Sequence, residues 1–205
     1  MKDIYLIRHT TPAVARGTCY GQTDLEVTAS FGEEASIIRQ HLGENITAVH
    51  SSPLKRCAQL ARHLFSEHSV VLHDDLREIH CGDWEMKNWD DLPREALDPW
   101  MNDFVHVRMP GGESYLDLHQ RVTRCFDAIR GGKTQGSVAI VAHGGVIRSI
   151  LSYITHTPLI DSFKVFSLHY GCVIRLYEEG DALSFRILSN IGGATGEQHK
   201  PKSFY

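Results

Sequence analysis

Val138-Ala139-Ile140-Val141-Ala142-His143-Gly144-Gly145 is the stretch on which the reading of this chain turns. Its unbroken apolar run fits a strand buried on both faces. His143 ends the run. Gly144 and Gly145 then lead into a helix whose apolar positions Ile147, Ile150, Leu151 and Ile154 recur at helical spacing. Working outward, the same alternation returns. Ile4-Tyr5-Leu6-Ile7 reads as a buried strand ending in Arg8-His9, and Thr47–His50 and Val70–Leu72 read as two more. Thr28 to Leu42 reads as a helix capped by Thr28, with Phe31, Ala35, Ile38 and Leu42 on its inner face. Pro53 suits the first position of a second helix, with Leu54, Cys57, Ala58, Ala61, Leu64 and Phe65 as its stripe. Ser114 caps a third, carrying Tyr115, Leu118, Val122, Cys125, Phe126 and Ile129. Val173–Tyr177 and Phe185–Leu188 read as a closing hairpin or edge strands.

Strands alternating with helices predict an α/β fold with a mostly parallel sheet. Between His73 and Gly112 the periodicity fails, and Trp84, Trp89, Trp100, Pro93, Pro99 and Pro110 fall in that stretch. It reads as an irregular insertion with short helices, a lid within a single domain spanning 1–205.

Composition bounds the function. The chain has 205 residues, 42% hydrophobic and 22% charged, with net charge −4. There is no Lys/Arg run to serve as a footprint for nucleic acid or an anionic membrane. The first apolar run is too short for a signal peptide and is broken by Arg8, and no run is long enough to span a bilayer. Cys19, Cys57, Cys81, Cys125 and Cys172 are scattered and odd in number, as suits reduced thiols in the cytoplasm. The 13 histidines include no HExxH, and His63 and His68 suit no known ligand pair, so no metal is expected.

Arg8-His9, His143-Gly144-Gly145, and Ser51-Ser52-Pro53 running into a helix with Arg56 all lie where strands give way to loops or helices. In such sheets that is where ligands bind. Taken singly, an Arg-His pair after a strand is an ordinary surface feature, HGG an ordinary turn, and Arg56 an ordinary solvated helix residue. Together they match what a phosphate monoester requires. A neutral imidazole attacks a dianion that repels anionic nucleophiles, and a covalent intermediate splits one hard step into two. Guanidinium groups fork onto phosphate oxygens and disfavour imidazolium nearby. A helix opening at Gly144 offers N–H groups to an anion. A proton donor for the leaving alkoxide is also needed. Position alone leaves Asp75, Glu78, Asp83 and Glu85 open for that role.

Arg8-His9, Ser52-Pro53-Leu54-Lys55-Arg56, Glu78 with Gly82-Asp83-Trp84-Glu85, and His143-Gly144-Gly145 resemble, in order and spacing along nearly the whole chain, the histidine phosphatase superfamily, which includes the phosphoglycerate mutases. The resemblance implies a three-layer α/β sandwich with helices on both faces and no metal or other cofactor. It implies His9 as nucleophile, Glu78 as general acid, and Arg8, Arg56 and His143 as the phosphate pocket, with Gly144 beside them. Three positions depart from the pattern: Thr10 replaces a usual Gly, the loop around Ala15 lacks a usual Asn, and Phe31 replaces a usual Gly. Within the superfamily, Cys19–Asp24, Gly82–Met86, Pro110–Ser114 and Gln120–Val122 are similar to strings of the alpha-ribazole phosphatases of cobalamin assembly. That similarity makes alpha-ribazole 5′-phosphate the expected substrate, with Tyr20, Thr23 and Trp84 as candidate contacts. The alternatives are a sugar-phosphate or phosphoserine phosphatase, a mutase, or a binding module without catalysis. A binder alone would not need His9, Glu78 and His143 together. The partner expected is thus a small phosphate monoester, with no nucleic acid or membrane. No feature of the sequence states an oligomeric state.

Overall fold

Ile4–Arg8 forms β1, and every residue in it is buried. Its alternating side chains explain why: Ile4 and Leu6 enter one apolar cluster, Tyr5 and Ile7 another, on opposite faces of the sheet. The computed structural model describes residues 3–180 and 182–190, and the remaining positions of the expected 1–205 domain lie outside the described residues. The other strands are β2 (Ile46–Ser51), β3 (Val70–Leu72), β4 (Ser137–Ala142), β5 (Val173–Glu179) and β6 (Ala182–Ser189). They form one sheet in the order β3-β2-β4-β1-β5-β6. β3, β2, β4 and β1 run parallel, whereas β5 pairs antiparallel with both β1 and β6. The sheet is therefore mixed, with a parallel majority. β5, read as a possible edge, is interior, and the edges fall to β3 and β6.

Helices α1 (Phe31–Arg39) and α2 (Lys55–Leu64) pack through Ala35, Ile38, Cys57, Leu60 and Ala61 on one face. α4 (Tyr115–Arg130) and α5 (Gly144–Thr155) pack through Leu118, Val122, Ile147 and Ile150 on the other. This is the expected three-layer arrangement. Each fully buried Leu, Ile or Val side chain among these contributes about 1.5–3 kcal/mol.

Local differences have local causes. α1 starts at Phe31 with Ser30 as its N-cap, because the Thr28 hydroxyl is turned to the Thr11 carbonyl and to Ser30 Oγ. α2 starts at Lys55 rather than Pro53, its first N–H donating to Asp24 Oδ1 at 2.7 Å. Ser114 caps α4 through a full capping box with Asp117. Within 73–112 there are three short 3₁₀ turns and one helix, α3 (Arg94–Asn102), with Pro99 inside it. That proline hid the helix from a periodic reading. The last helix, α6, is a single turn at Ser162–Val165.

Candidate active site

The register of the sheet builds the centre of the site. β1 lies beside β4 with Arg8 opposite Ala142. The residues that follow, His9 and His143, must then emerge together at the carboxyl edge. His9 N–H donates to the Ala142 carbonyl at 3.0 Å, and the two imidazole rings meet edge to face at 5.1 Å. β2 on the other side of β4 brings Ser52, whose Oγ shares a 2.8 Å hydrogen bond with His143 Nε2.

Both imidazoles are buried. Burial first, then the charge of Arg56, holds each well below its ordinary value. Both are therefore neutral at physiological pH. His9 Nδ1–H donates to the Thr10 carbonyl at 2.7 Å. A carbonyl only accepts, so Nδ1 carries the proton and Nε2 of the neutral ring carries a lone pair. The bond uses backbone, so Thr10 in place of Gly preserves it. The Thr10 hydroxyl itself is buried with no hydrogen-bond partner among the described residues.

Arg8 donates to the Leu168 carbonyl at 2.5 Å and lies over the Tyr170 ring at 4.2 Å. Arg56 is fully buried, its two terminal nitrogens donating to the carbonyls of Thr23 and Gly21 at 2.9 and 2.7 Å. Its Nε has no partner among the described residues. Glu78 receives the N–H of Ile79 on one oxygen and that of Gly145, in the first turn of α5, on the other, both at 3.0 Å. A side chain at Gly145 would meet this carboxylate at 2.4 Å, so the glycine is what admits it.

One cavity collects Arg8, His9, Glu78 and Gly144, while His143, fully buried against the His9 ring, is not part of its lining. Arg8, His9, Glu78, Gly144, Tyr20 and Tyr170 line its polar end, and Trp89, Trp100, Phe104, Met109 and Phe163 its apolar end. Tyr20 and Tyr170 meet hydroxyl to hydroxyl at 2.7 Å. Arg56 is not part of the lining and stands behind it. Thr23 also lies off the cavity: its N–H and hydroxyl are turned to Glu85, and its carbonyl to Arg56. Trp84 is buried against Trp89 and Trp100 and does not reach the cavity, so the candidate contacts among the tryptophans shift to its two neighbours.

Sequence reading missed Arg148. It lines the cavity from α5, over the Phe163 ring at 4.5 Å, and donates from Nε to the Phe166 carbonyl. Burial, then repulsion from Arg8, lowers its pKa to about 10. A side chain at Gly144 would lie 3.2 Å from the guanidinium groups of both Arg8 and Arg148. The available signal was spacing: Arg148 sits one turn after Gly144.

The supporting layer was missed as well. Glu85 accepts the N–H groups of Gly21, Gln22, Thr23 and Cys81 and the Thr23 hydroxyl. It thereby fixes the loop whose carbonyls hold Arg56. Arg121 forks onto Glu113 with two 2.8 Å bonds and donates to the carbonyls of Asp75, Arg77 and Glu78. Among the described residues no group of three His, Cys, Asp or Glu side chains is placed to hold a metal ion, and no helix is long and apolar enough to cross a membrane.

Comparison with known proteins agrees with this geometry. The family model described as histidine phosphatase superfamily (branch 1) matches residues 4–190. The chain is 28% identical over 176 residues to the adenosylcobalamin/alpha-ribazole phosphatase of Escherichia coli (strain K12), covering 82% of this chain and 86% of that one. It is 24% identical over 198 residues to a putative phosphoserine phosphatase 2 of Hydrogenobacter thermophilus, covering 93% and 97%. The crystal structure of the alpha-ribazole phosphatase from Shigella flexneri superposes with a TM-score of 0.84 at 26% identity, covering 94% and 98%.

Proposed function

The chain belongs to the histidine phosphatase superfamily, branch 1, and from that premise we propose that it hydrolyses phosphate monoesters through a phosphohistidine on His9, without a metal, with alpha-ribazole 5′-phosphate as substrate. The observation that carries the reading is the His9 tautomer. A buried neutral imidazole with its Nδ1 proton committed to Thr10 is left with Nε2 as its nucleophile.

In this reading the phosphate docks at Arg8 and His143, with Arg56 adding charge from behind and Arg148 from the side. His9 Nε2 attacks phosphorus as the ester P–O bond breaks, and Glu78 gives its proton to the leaving oxygen. Water then attacks the phosphohistidine. The P–N bond breaks, Glu78 takes the proton from water, and phosphate leaves. Residues 73–112 serve as the lid that closes over the leaving group.

The apolar end supports the substrate assignment. Trp89, Trp100, Phe104, Met109 and Phe163 offer a benzimidazole-type base more surface than a three-carbon acid can use. Arg148 favours the second reading, a small acidic monoester such as phosphoserine or phosphoglycerate, whose carboxylate it would meet.

Two measurements test this. Brief reaction with labelled substrate and an alkaline quench should leave the label on the His9 peptide, and turnover should survive exhaustive chelation. Absence of label, or a divalent ion restoring chelated enzyme, would defeat the mechanism. Separately, kcat/KM should be higher for alpha-ribazole 5′-phosphate than for phosphoserine or 3-phosphoglycerate. The reverse order, with the acids hurt selectively by Arg148→Met, would establish the second reading.

A further inference from the structure

Arg8, the last residue of β1, is met by the turn that leads into β5. In that turn Cys172 N–H donates to the His169 carbonyl at 3.1 Å, and Tyr170 and Gly171 are the two central residues, with Gly171 at φ +68°. Three bonds tie the turn to the strand end. Gly171 N–H donates to the His9 carbonyl at 3.1 Å, Arg8 N–H to the Cys172 carbonyl at 3.0 Å, and the Arg8 guanidinium to the Leu168 carbonyl. Asn190, just past β6, secures the turn further, accepting the His169 N–H and donating to the Ser167 carbonyl, both at 2.8 Å. Tyr170 is thereby held at the polar end of the cavity. The Arg8 guanidinium carbon lies over its ring, 4.2 Å from the centre, and the His9 ring is 5.5 Å away. Its hydroxyl meets that of Tyr20 at 2.7 Å. Tyr20 belongs to the loop that seats the other arginine: its ring is 5.4 Å from the Arg56 guanidinium carbon, and Gly21 and Thr23 hold Arg56 by their carbonyls. One hydrogen bond between phenols thus joins two loops, each seating one guanidinium.

We propose that Tyr170 is a positioning residue: its ring fixes the Arg8 guanidinium for a phosphoryl group, and its bond to Tyr20 holds that ring in place. The inference rests on the reading of Arg8 as a partner of the substrate phosphate. A guanidinium carries its five N–H donors in one plane. A ring on its face attracts the cation and resists its rotation, yet occupies none of those donors. They stay directed in the plane, where a phosphoryl group is gripped by two parallel bonds. A carboxylate could also hold an arginine still, but it would cancel charge that the phosphate needs. The aromatic face holds Arg8 and leaves its charge in place.

Inorganic phosphate is the probe, titrated calorimetrically into the full chain beside steady-state kinetics with an aryl phosphate. Tyr170→Leu should weaken phosphate binding by about tenfold, within the range for a cation over an aromatic face. KM should rise by a similar factor while kcat changes less, as for binding shared by ground and transition states. Tyr170→Phe keeps the ring and should recover most of the affinity, leaving a loss of about threefold. Tyr20→Phe removes the same hydrogen bond from the other side and should match it, and the double Phe variant should be no worse than either alone. A residue that only packs would lower the urea midpoint and leave the phosphate affinity of the folded protein unchanged. That outcome for Tyr170→Leu overturns the proposal, as do equal losses in Tyr170→Phe and Tyr170→Leu, or wild type that binds no phosphate. If Tyr170→Leu misfolds, the Phe variants decide: matched, non-additive losses uphold the proposal and additive ones overturn it. Phosphate weakened as expected in a protein that forms no phosphohistidine would strike the hydrolytic mechanism and leave the role of Tyr170 standing.

Discussion

The carboxyl edge of the sheet and the 73–112 segment both face the same cavity, but they are built on opposite principles. At the sheet edge, buried cations and neutral imidazoles emerge from strand ends, and strand register sets their positions. In the segment and just past its end, carboxylates gather backbone N–H groups: Glu85 takes those of Gly21, Gln22, Thr23 and Cys81, and Glu113 takes that of His80 while paired with Arg121. One region is a charged surface held by a ladder. The other is an aromatic wall held by two anions. The contrast teaches that chemistry and shape are separately supported, so substitutions should separate them too.

The sharpest break is at the proposed nucleophile. His9→Ala should cost on the order of 10⁴–10⁶ in kcat, the scale found when a covalent catalyst is removed. Turnover measured with an aryl phosphate checks this, and a loss below tenfold would mean that the strand-end pair is not the reactive centre. Glu78 belongs by position to the segment and by hydrogen bonding to α5, so it tests the border between the regions. Glu78→Gln should lower kcat for alkyl phosphates by about 10²–10⁴ and for nitrophenyl phosphate far less, since a nitrophenolate hardly needs a proton. Equal losses on both leaving groups would remove Glu78 from the role of general acid and send the search to Asp83 or Glu85.

A smaller effect is expected where the segment supports the sheet edge at one remove. Both oxygens of Glu85 are surrounded by donors, so a glutamine amide must turn its NH₂ toward N–H groups. Glu85→Gln should destabilise the fold by about 2–3 kcal/mol, the scale of a lost charged hydrogen bond with an unsatisfied partner. It should also reduce kcat/KM by as much as about 10²-fold, through displacement of the Gly21 and Thr23 carbonyls that hold Arg56. Urea unfolding and steady-state kinetics read the two effects. Destabilisation with intact kcat/KM would show that the loop does not position Arg56.

The same contrast explains what was legible in the sequence. Buried strands announce themselves as apolar runs, and a strand ending in Arg-His or His-Gly-Gly places its chemistry by topology alone. By resemblance, the strings at Cys19–Asp24, Gly82–Met86, Pro110–Ser114 and Gln120–Val122 point to substrate. In the structure they are chiefly one another's partners. Glu85 holds Gly21–Thr23, and Gly82, at φ +54° with Asp83 N–H on the Pro110 carbonyl, packs where any side chain would strike that carbonyl at 2.1 Å. Arg121 grips Glu113. Such strings mark a shared scaffold more than a shared ligand. Bonds from a carboxylate to backbone leave no period for sequence reading to find, and Arg148 escaped because a lone cation on an apolar helix does not announce which way it points.

The smallest effect separates the regions by pH. His9 and His143 are held well below the ordinary 6.5 by burial first and by Arg56 next. The unfolded chain therefore binds protons that the folded one refuses, and stability falls as pH drops below 6.5. Glu85 and Glu113 lie on the other side. Burial raises each, but hydrogen bonds, from Thr23 and backbone N–H groups for one and from Arg121 for the other, outweigh it and leave both below the ordinary 4.5. Their stabilisation is complete above the unfolded value and is lost as pH falls through the folded one. Each group can bend the stability curve by at most about 1.4 kcal/mol per pH unit. Urea midpoints taken across this range should therefore show two successive losses in wild type. His9→Gln should shrink the upper loss, below 6.5, by the share that His9 carries, with His143 keeping the rest, and leave the lower one intact. Glu113→Gln should start from a lower stability and flatten only the part below 4.5. If either substitution flattens both windows equally, the two regions titrate as one unit, and the division between a charged edge and an anion-held wall does not describe this protein.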